Sequence, residues 1–386
     1  MPRRKPQILR SLAAILFTLG LTSACAAPAR IVYTAAEQRA AVPPGFADVR
    51  LSISERAEAE KMVDFFRAER AARGRPLEIL SLSGGGANGA FGAGVLYGWS
   101  QHGGRPAFDV VTGISTGALA APFAFLGPAY DEALKAGYTG GGSADLLDFQ
   151  GLFAFFRPSL FSGRPLERLV EDLIDDEVVA AVAKEHRAGR RLLVGTTNLD
   201  TQSLTLWNMG AIASVGGANA TRLFRKVMLA SASVPGVFPP VMVDVEAKGR
   251  RFAEMHVDGS AIASFFAVPN SLLLWTDQEG AGLKARLYVL INGALDEDFA
   301  VTPNETLSIL QRSFDVASKT NTRTELTAVA AFAERNGLTL QVSHVPAGVN
   351  PSPLDFNQQR MTALFEQGRS AGAAGTAWED LKDAAP

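Results

Sequence analysis

Apolar runs that lead into glycines are the clearest pattern in the chain, and they predict neighbouring strand–turn–helix units. Two such runs, at residues 79–82 and 110–111, lie within the stretch 77–117, and each continues through glycines into a helix-forming segment. Continuous apolar runs of this kind are typical of buried strands in an α/β sheet. The pattern predicts strands over 77–83 and 108–112, and helices over about 88–101 and 116–126.

Strands and helices continue to alternate through the rest of the chain. Residues 127–189 have the pattern of a helical insertion, and its phenylalanines between 149 and 161 fit either an acyl-chain pocket or core packing. This alternation favours one layered α/β domain over residues 51–386. The other expected strands cover 191–198, 203–207, 241–246, 251–257, 286–291 and 338–345, and the other helices cover 54–73, 166–174, 219–230, 305–335 and 355–371.

The N-terminus has the pattern of a secretory signal peptide. Residues 1–24 carry four basic residues and no acid, and a ten-residue apolar run occupies positions 12–21. A basic region, a short apolar region and small residues before a cleavage point define such signals, and the run is too short to span a bilayer. The Ala- and Pro-rich residues 25–50 are expected to form a tether between this signal and the domain.

Cys25 is the only cysteine, so no intramolecular disulfide can form. It stands where a bacterial lipoprotein carries its lipid-modified cysteine, although Thr22 replaces the usual leucine-type residue three positions earlier. Two outcomes remain open. Lipidation of Cys25 would anchor the protein in the cell envelope, at the periplasmic side of the outer membrane, whereas cleavage after Ala26 would leave it periplasmic or secreted.

Charge and composition give no reason to expect a nucleic acid, a metal or a cofactor as a partner. The 386 residues are 47% hydrophobic, which is enough for a substantial core, and the formal net charge is only −2. This balance gives no indication of nucleic-acid binding. No cluster of metal-ligating residues is visible in the sequence, so neither a metal nor another cofactor is expected.

A candidate nucleophile stands in the second strand–helix turn. Gly113, Ser115 and Gly117 have the G-x-S-x-G spacing of a nucleophile elbow, in which small neighbours leave a serine exposed on a strained turn. The first turn carries Gly84, Gly85 and Gly86, whose backbone N–H groups have no Cβ beside them. Such groups at the start of a helix can stabilise an oxyanion, so the two turns together predict acyl transfer.

Two candidate bases for the serine lie on one predicted strand. His256 and Asp258 alternate with apolar residues and therefore share a face of that strand. A histidine would give a conventional Ser–His–Asp site, whereas a buried carboxylate can also act as a base. Asp258-Gly259 is equally compatible with an ordinary turn, so spacing alone does not choose among these possibilities.

Several blocks between residues 77 and 293, taken together, resemble the patatin-like phospholipase family. They are Gly84-Gly85-Gly86-Ala87-Asn88-Gly89, Phe108-Asp109, Gly113-Ile114-Ser115-Thr116-Gly117, Phe161-Ser162-Gly163-Arg164-Pro165-Leu166, residues 232–240 and Asp258-Gly259-Ser260, in that order. The resemblance implies a three-layer α/β/α fold with a central, mostly parallel sheet. It also implies hydrolysis of acyl esters in lipids at a membrane surface.

The resemblance assigns roles to the residues already singled out. It implies that Ser115 is the nucleophile, that Asp258 is its base without a histidine, and that the amides of Gly84, Gly85 and Gly86 form the oxyanion hole. Two positions depart from the family pattern. Asn88 stands where a basic residue is usual, and Ser260 stands where Gly or Ala is usual.

Three other interpretations also fit the sequence. Gly84-x-Gly86-x-x-Gly89 also matches the dinucleotide-binding fingerprint, with Asp109 at the distance of a ribose-binding acid. The chain could instead be a non-catalytic envelope lipoprotein that keeps the fold. Finally, His256 could complete a Ser–His–Asp triad.

Overall fold

The structure is a computed structural model that describes residues 30–51, 56–142, 146–147, 159–273, 284–297, 299–349 and 352–380. The expected signal peptide, Cys25 and most of the phenylalanine-rich stretch lie outside these residues. The β-strands are β1 (Arg50–Leu51), β2 (Leu77–Leu82), β3 (Val110–Ile114), β4 (Arg191–Asn198), β5 (Ser203–Asn208), β6 (Val241–Ala247), β7 (Arg250–Asp258), β8 (Ala285–Ile291), β9 (Thr339–His344) and β10 (Glu379–Asp380).

The described α-helices follow the strands as the alternating pattern predicts. They are α1 (Ala35–Arg39), α2 (Arg56–Arg73), α3 (Gly89–His102), α4 (Thr116–Leu126), α5 (Asp131–Thr139), α6 (Arg164–Leu173), α7 (Asp176–Arg187), α8 (Met209–Val215), α9 (Gly217–Ser231), α10 (Thr306–Arg335) and α11 (Gln358–Ala374). The expected insertion thus supplies α5, α6 and α7. None of the described helices combines the length and the apolar character needed to cross a bilayer.

All of these strands belong to one sheet with a parallel centre. The strand order is β1-β5-β4-β3-β2-β8-β9-β10, and β7 pairs with both β4 and β6. Strands β4, β3, β2, β8 and β9 run parallel to one another, while β1, β5, β7 and β10 pair antiparallel at the margins. The predicted central, mostly parallel sheet is confirmed.

Helices cover both faces of the sheet. On one face, α3, α4, α6, α7, α9 and α11 share a large buried cluster with β2, β3 and β4. On the other face, α10 packs Leu326, Val329 and Phe332 against β8 and β9. Burial of both faces explains why the central strands are mostly apolar, and it confirms the three-layer α/β/α arrangement.

Residues 30–51 differ from the expected tether because they pack on the sheet. Thr34 and Glu37 form a reciprocal capping box on α1, and Val42 pairs with Glu246 of β6. Phe46 and Val49 are buried in the main core. The absence of periodicity suggested a free segment, but a capped helix and a few apolar anchors hold this stretch in place.

Two strands meet end to end beside β4, and this arrangement creates the site. Strand β3 ends where Ile114 pairs with Gly195, and β7 arrives from the opposite direction and ends where Asp258 pairs with Thr196. Gly195 and Thr196 are consecutive residues of β4. The residue that follows β3, Ser115, therefore lies close to the last residue of β7, Asp258.

A close helix pair brings the C-terminal part of the chain to the glycine-rich turn. Gly94 and Gly98 of α3 lie against the backbone of α11, where a Cβ would approach carbonyl oxygens to 2.0 Å. Glycines at these positions let the two helix backbones touch. The segment before α11 then reaches the turn after β2, where Ala87 donates its N–H to the Pro353 carbonyl at 2.8 Å.

Candidate active site

Ser115 occupies a strained turn between β3 and α4. Its φ and ψ of 56° and −126° lie outside the regions that non-glycine residues favour, and the side chain is buried. The Ser115 N–H donates to the Ser231 hydroxyl at 3.0 Å, and that hydroxyl donates to the Gly195 carbonyl at 2.7 Å. Ser231 therefore ties the elbow to β4 and holds the strained conformation in place.

The two elbow glycines are required by close backbone contacts. A Cβ at Gly113 would lie 2.6 Å from the Gly117 carbonyl oxygen, and a Cβ at Gly117 would lie 2.5 Å from the carbonyl oxygens of Leu82 and Ser83. Helix α4 consequently starts directly against the end of β2. This contact brings the elbow and the glycine-rich turn together, as the sequence predicted.

Asp258 lies at the end of β7 and is completely buried. Its N–H donates to the Ser233 carbonyl at 2.9 Å. At the next residue, Gly259, an added Cβ would lie 2.7 Å from the Gly195 carbonyl oxygen and 3.0 Å from Ile114, which is too close for a side chain. The Asp-Gly pair is therefore more than a turn, because only glycine lets the chain leave the strand this close to the elbow.

Burial makes the Asp258 carboxylate more basic than an ordinary aspartate. Desolvation raises its pKa to about 6, although the nearby Ser115 hydroxyl and the hydrogen bonds from Ser260 lower it. One carboxylate oxygen accepts the Ser260 N–H at 2.7 Å and the Ser260 hydroxyl at 2.5 Å. The other oxygen, Oδ2, accepts no hydrogen bond from the described residues. A buried carboxylate with acceptor capacity to spare, next to a serine, can take up a proton.

The glycine-rich turn differs from expectation at its first residue. The Gly84 N–H already donates to the Ser264 carbonyl at 2.9 Å, so it cannot donate to an oxyanion at the same time. Gly84 instead provides space, since a Cβ there would lie 2.6 Å from the Ser260 hydroxyl and 3.2 Å from the Ser115 Cβ. The N–H groups of Gly85 and Gly86 have no acceptor among the described residues.

Gly85 and Gly86 adopt conformations that exclude other residues. Their φ values are 151° and 56°. A Cβ on Gly85 would lie 2.0 Å from the Asn292 carbonyl oxygen, and one on Gly86 would lie 2.0 Å from the Pro353 carbonyl oxygen. Both neighbours are backbone atoms that cannot move aside easily, so the turn is shaped by contacts from distant parts of the chain.

Polar residues that the sequence patterns did not reveal support this turn. Asn292, after β8, donates from its N–H to the Ser83 hydroxyl and from its side-chain amide to the Ser83 carbonyl, both at 2.8 Å. Glu325 of α10 accepts the N–H groups of Ser264 and Phe265 at 3.0 and 3.4 Å. Asn292 follows an apolar strand and Glu325 lies in a largely polar stretch of α10, and no local motif identifies either residue.

A cavity of about 50 Å³ opens beside the turn. Its lining combines the glycine-rich turn with residues from α10 and from the loop after β7. The lining residues include Gly84, Gly85, Ser260, Gly293, Ser318 and Lys319. Asn88, at the position where the family usually has a basic residue, also lines this cavity and is buried.

His256 has both ring nitrogens engaged away from Ser115. Nδ1 lies 2.9 Å from the Thr196 hydroxyl, and Nε2 lies 3.3 Å from the Glu254 carboxylate. Glu254 is also paired with Arg50 at 2.7 Å. This buried network joins β1, β4 and β7, so the histidine has a structural position and the geometry does not favour a Ser–His–Asp triad.

Asp109 cannot serve a nucleotide bound at the glycine-rich turn. It precedes β3, at the opposite edge of the sheet from the turn, and accepts two hydrogen bonds from Arg75 at 2.7 and 2.8 Å and one from the Glu78 N–H at 2.9 Å. The buried Asp109 carboxylate is thus already occupied by Arg75 and by a backbone N–H. Among the described residues, no group of three or more His, Cys, Asp and Glu side chains is arranged to hold a metal ion.

One family model matches part of the chain. Residues 80–269 match a family model described as patatin-like phospholipase. No curated protein matches the chain at a significant level. Among solved structures, VipD from Legionella pneumophila is similar, with 14% identity, a TM-score of 0.39 and coverage of 79% of this chain and 67% of VipD. The type III effector protein ExoU is similar with 14% identity, a TM-score of 0.29 and coverage of 80% of this chain and 56% of ExoU.

Proposed function

We propose that this chain, whose residues 80–269 match the patatin-like phospholipase family, hydrolyses lipid esters by a Ser–Asp mechanism. In this proposal, Ser115 is the nucleophile, Asp258 is its only base, and the substrate is an acyl ester of a lipid. No cofactor is required. The close approach of the two side chains at the junction of β3 and β7 is the observation that carries the proposal.

The first half of the reaction acylates the enzyme. Asp258 takes the proton from the Ser115 hydroxyl as Oγ attacks the carbonyl carbon of the ester. The tetrahedral intermediate then collapses, and the C–O bond to the alcohol breaks. Asp258 returns its proton to the departing alkoxide, which leaves as the lipid alcohol.

The second half releases the fatty acid. Water gives a proton to Asp258 and attacks the acyl carbon, and the new intermediate expels Ser115 Oγ, which recovers the proton. In both halves, the N–H groups of Gly85 and Gly86 are proposed to donate to the oxyanion. Each donor of this kind contributes about 2.7–4 kcal/mol to the stability of the transition state in comparable sites.

Turnover by site variants tests the proposal. Purified protein is assayed on a soluble chromogenic ester and on phosphatidylcholine, beside Ser115→Ala, Asp258→Asn and His256→Ala. We expect the first two variants to fall to background and folded His256→Ala to keep most of the wild-type turnover. Ser100→Ala on α3 and Asp244→Asn on the exposed face of β6 serve as matched controls. Loss of turnover in folded His256→Ala would favour a triad, and inactive wild-type protein would favour a non-catalytic envelope role.

We also propose that the protein is exported and anchored to the cell envelope. Residues 1–24 would be removed as a signal peptide, and Cys25 would carry the lipid. The sequence order of basic, apolar and small residues supports this proposal. Mass spectrometry of the mature N-terminus tests it: a lipid-modified Cys25 is expected, and Cys25→Ser should move the protein from the membrane fraction to the soluble one. An unmodified N-terminus after Ala26 would contradict it.

A further inference from the structure

Exposed apolar side chains are concentrated around the first half of α10. The described residues include eleven large apolar side chains that are exposed, and five of these lie between positions 299 and 316. Phe299 and Val301, just before the helix, are 93% and 84% exposed. We call these five residues the apolar overhang: Phe299, Val301, Ile309, Phe314 and Val316. Exposed apolar side chains that are concentrated in one short stretch of chain favour a contact with something apolar.

The length of α10 explains why this part of the helix has no sheet beneath it. The helix contains 30 residues, whereas β8 and β9 contain seven and six. At about 1.5 Å per helical residue and 3.3 Å per strand residue, it is about twice as long as the strands it covers. Leu326, Val329 and Phe332 in its second half cover the sheet, so the first half projects past the sheet edge.

The projecting half stands at the edge that carries the proposed active site. Ser318, near the middle of α10, accepts a hydrogen bond from the Ser264 hydroxyl at 3.4 Å, and Ser264 also accepts the Gly84 N–H. Ser318 and Lys319 line the cavity together with Gly84. Asp315 also lines this cavity, so Phe314 and Val316 of the apolar overhang directly adjoin a lining residue in the chain.

The N-terminal segment is fixed at the same edge. Asp200 follows the carboxyl end of β4, and Arg30 donates to both of its carboxylate oxygens at 2.7 and 2.6 Å. Ile31 and Val32, the next two residues, are exposed. Arg30 and the exposed Ile31 and Val32 therefore lie at the sheet edge that carries the proposed active site.

The charge around the overhang distinguishes between kinds of lipid surface. Between positions 295 and 320, the described ionisable residues are Asp296, Glu297, Glu305, Asp315, Arg312 and Lys319. Acids outnumber bases, so this region has no excess of cations to attract anionic head groups. Insertion of apolar side chains into an electrically neutral, zwitterionic surface is the contact that remains favourable.

We propose that the apolar overhang is the membrane-docking surface of this enzyme and that it inserts into a zwitterionic phospholipid bilayer. The proposal rests on the proposed hydrolysis of lipid esters, because docking here brings the cavity beside the glycine-rich turn to the lipid surface. The overhang and the fixed N-terminal segment face the same bilayer, which keeps the site at its substrate.

A two-substrate assay tests this surface. The full chain with Phe299→Ser and Val301→Ser is compared with wild type on phosphatidylcholine vesicles and on a soluble short-chain ester. We expect at least a tenfold loss on vesicles and an unchanged rate on the soluble ester. Val215→Ser is the matched control, because Val215 is 53% exposed and belongs to α8, which follows β5 at the opposite edge of the sheet. Equal rates of the double variant and wild type on vesicles would overturn the proposal.

A second measurement reports contact without depending on activity. Phe299→Trp and Val215→Trp are each introduced into the Ser115→Ala chain, and tryptophan fluorescence is followed with vesicles of brominated phosphatidylcholine. Added quenching is expected for position 299 and not for position 215. Equal quenching at both positions would overturn the proposal. The proposal would also fail if wild type is a dimer and the Phe299→Ser, Val301→Ser variant is a monomer. Failure of wild type on the soluble ester would instead refute the proposed hydrolysis, whatever the quenching shows.

Discussion

Ser260 donates both its N–H and its hydroxyl to the same oxygen of Asp258, at 2.7 and 2.5 Å. Ser260 stands at one of the two positions where the sequence departs from the pattern of the family that it resembles. Two donors on Oδ1 hold the carboxylate in one orientation and favour its ionised form. Ser260 therefore tunes the proposed base, a role that its small size alone did not suggest.

The pH dependence of turnover should report on this contact. Because the pKa of Asp258 is raised to about 6, kcat/KM on a soluble ester should rise with pH through that value as the carboxylate ionises. Ser260→Ala removes a donor to the ionised form, so this limb should move to higher pH, by about one pH unit for a bond worth about 1.5 kcal/mol. Ser100→Ala is the control and should leave the profile unchanged. A profile of Ser260→Ala that overlays wild type would refute the tuning role.

Asp258→Asn should be more stable than wild type at neutral pH. In the folded protein burial raises the Asp258 pKa from 3.8 to about 6, so the folded state binds this proton more tightly than the unfolded state. The tighter proton binding stabilises the folded state fully below pH 3.8, and this stabilisation is lost as the pH rises through about 6. The ionised carboxylate then costs about 3 kcal/mol, a cost that neutral Asn avoids.

Urea unfolding at about pH 7.5 and about pH 4 measures this difference. Asp258→Asn should gain stability at the higher pH, and the gain should shrink at the lower pH, where wild type is also neutral. A variant that is less stable than wild type at the higher pH would show that the carboxylate is held in the folded state by stronger interactions than those described above.

Glu325 should act as a positioning residue for the glycine-rich turn. It accepts the N–H of Ser264, whose carbonyl in turn accepts the N–H of Gly84. Glu325→Ala should lower kcat on a soluble ester by about tenfold with little change in KM, because misplaced donors weaken transition-state stabilisation rather than substrate binding. Glu325→Gln keeps a side-chain acceptor and should retain most of the activity. If Glu325→Gln is as impaired as Glu325→Ala, the positioning role of the acceptor is excluded.

Gly85→Ala should abolish most of the activity. The new Cβ would meet the Asn292 carbonyl oxygen at 2.0 Å, and the φ of 151° is unfavourable for alanine. Displacement of one oxyanion donor lowers kcat by about 10²–10³-fold in comparable sites. Gly293→Ala is the matched control, since Gly293 lines the same cavity and a Cβ added there would have no heavy atom within 4 Å. Equal kcat values for the two variants would rule out Gly85 as a donor.

Local motifs made the elbow predictable, whereas long-range pairing decided its partner. Ser115 stands in a spacing that has one structural meaning after a buried strand, and the structure has the expected turn there. The alternation along β7 placed His256 and Asp258 on one face but carried no information about which would meet the serine. That choice depends on β3 and β7 ending at consecutive residues of β4, which no single segment encodes.

Single polar residues with distant partners could not be predicted from the sequence. Ser231 and Asn292 bond to the two turns from 116 and 209 residues away along the chain, and each is an isolated polar residue among apolar ones. The N-terminal segment is different. Its capping box, Thr34 with Glu37 three residues later, is a readable helix start, so the packing of residues 30–51 was partly predictable.

Covalent labelling tests the central claim, that Asp258 activates Ser115, most directly. Wild type, Ser115→Ala, Asp258→Asn and His256→Ala are treated with a fluorophosphonate, and the rate of mass gain and the labelled peptide are determined. The account predicts one label on Ser115, none in Ser115→Ala, labelling slowed by about 100-fold or more in Asp258→Asn, and a near wild-type rate in folded His256→Ala. Labelling of Asp258→Asn at the wild-type rate, or of a residue other than Ser115, would contradict it.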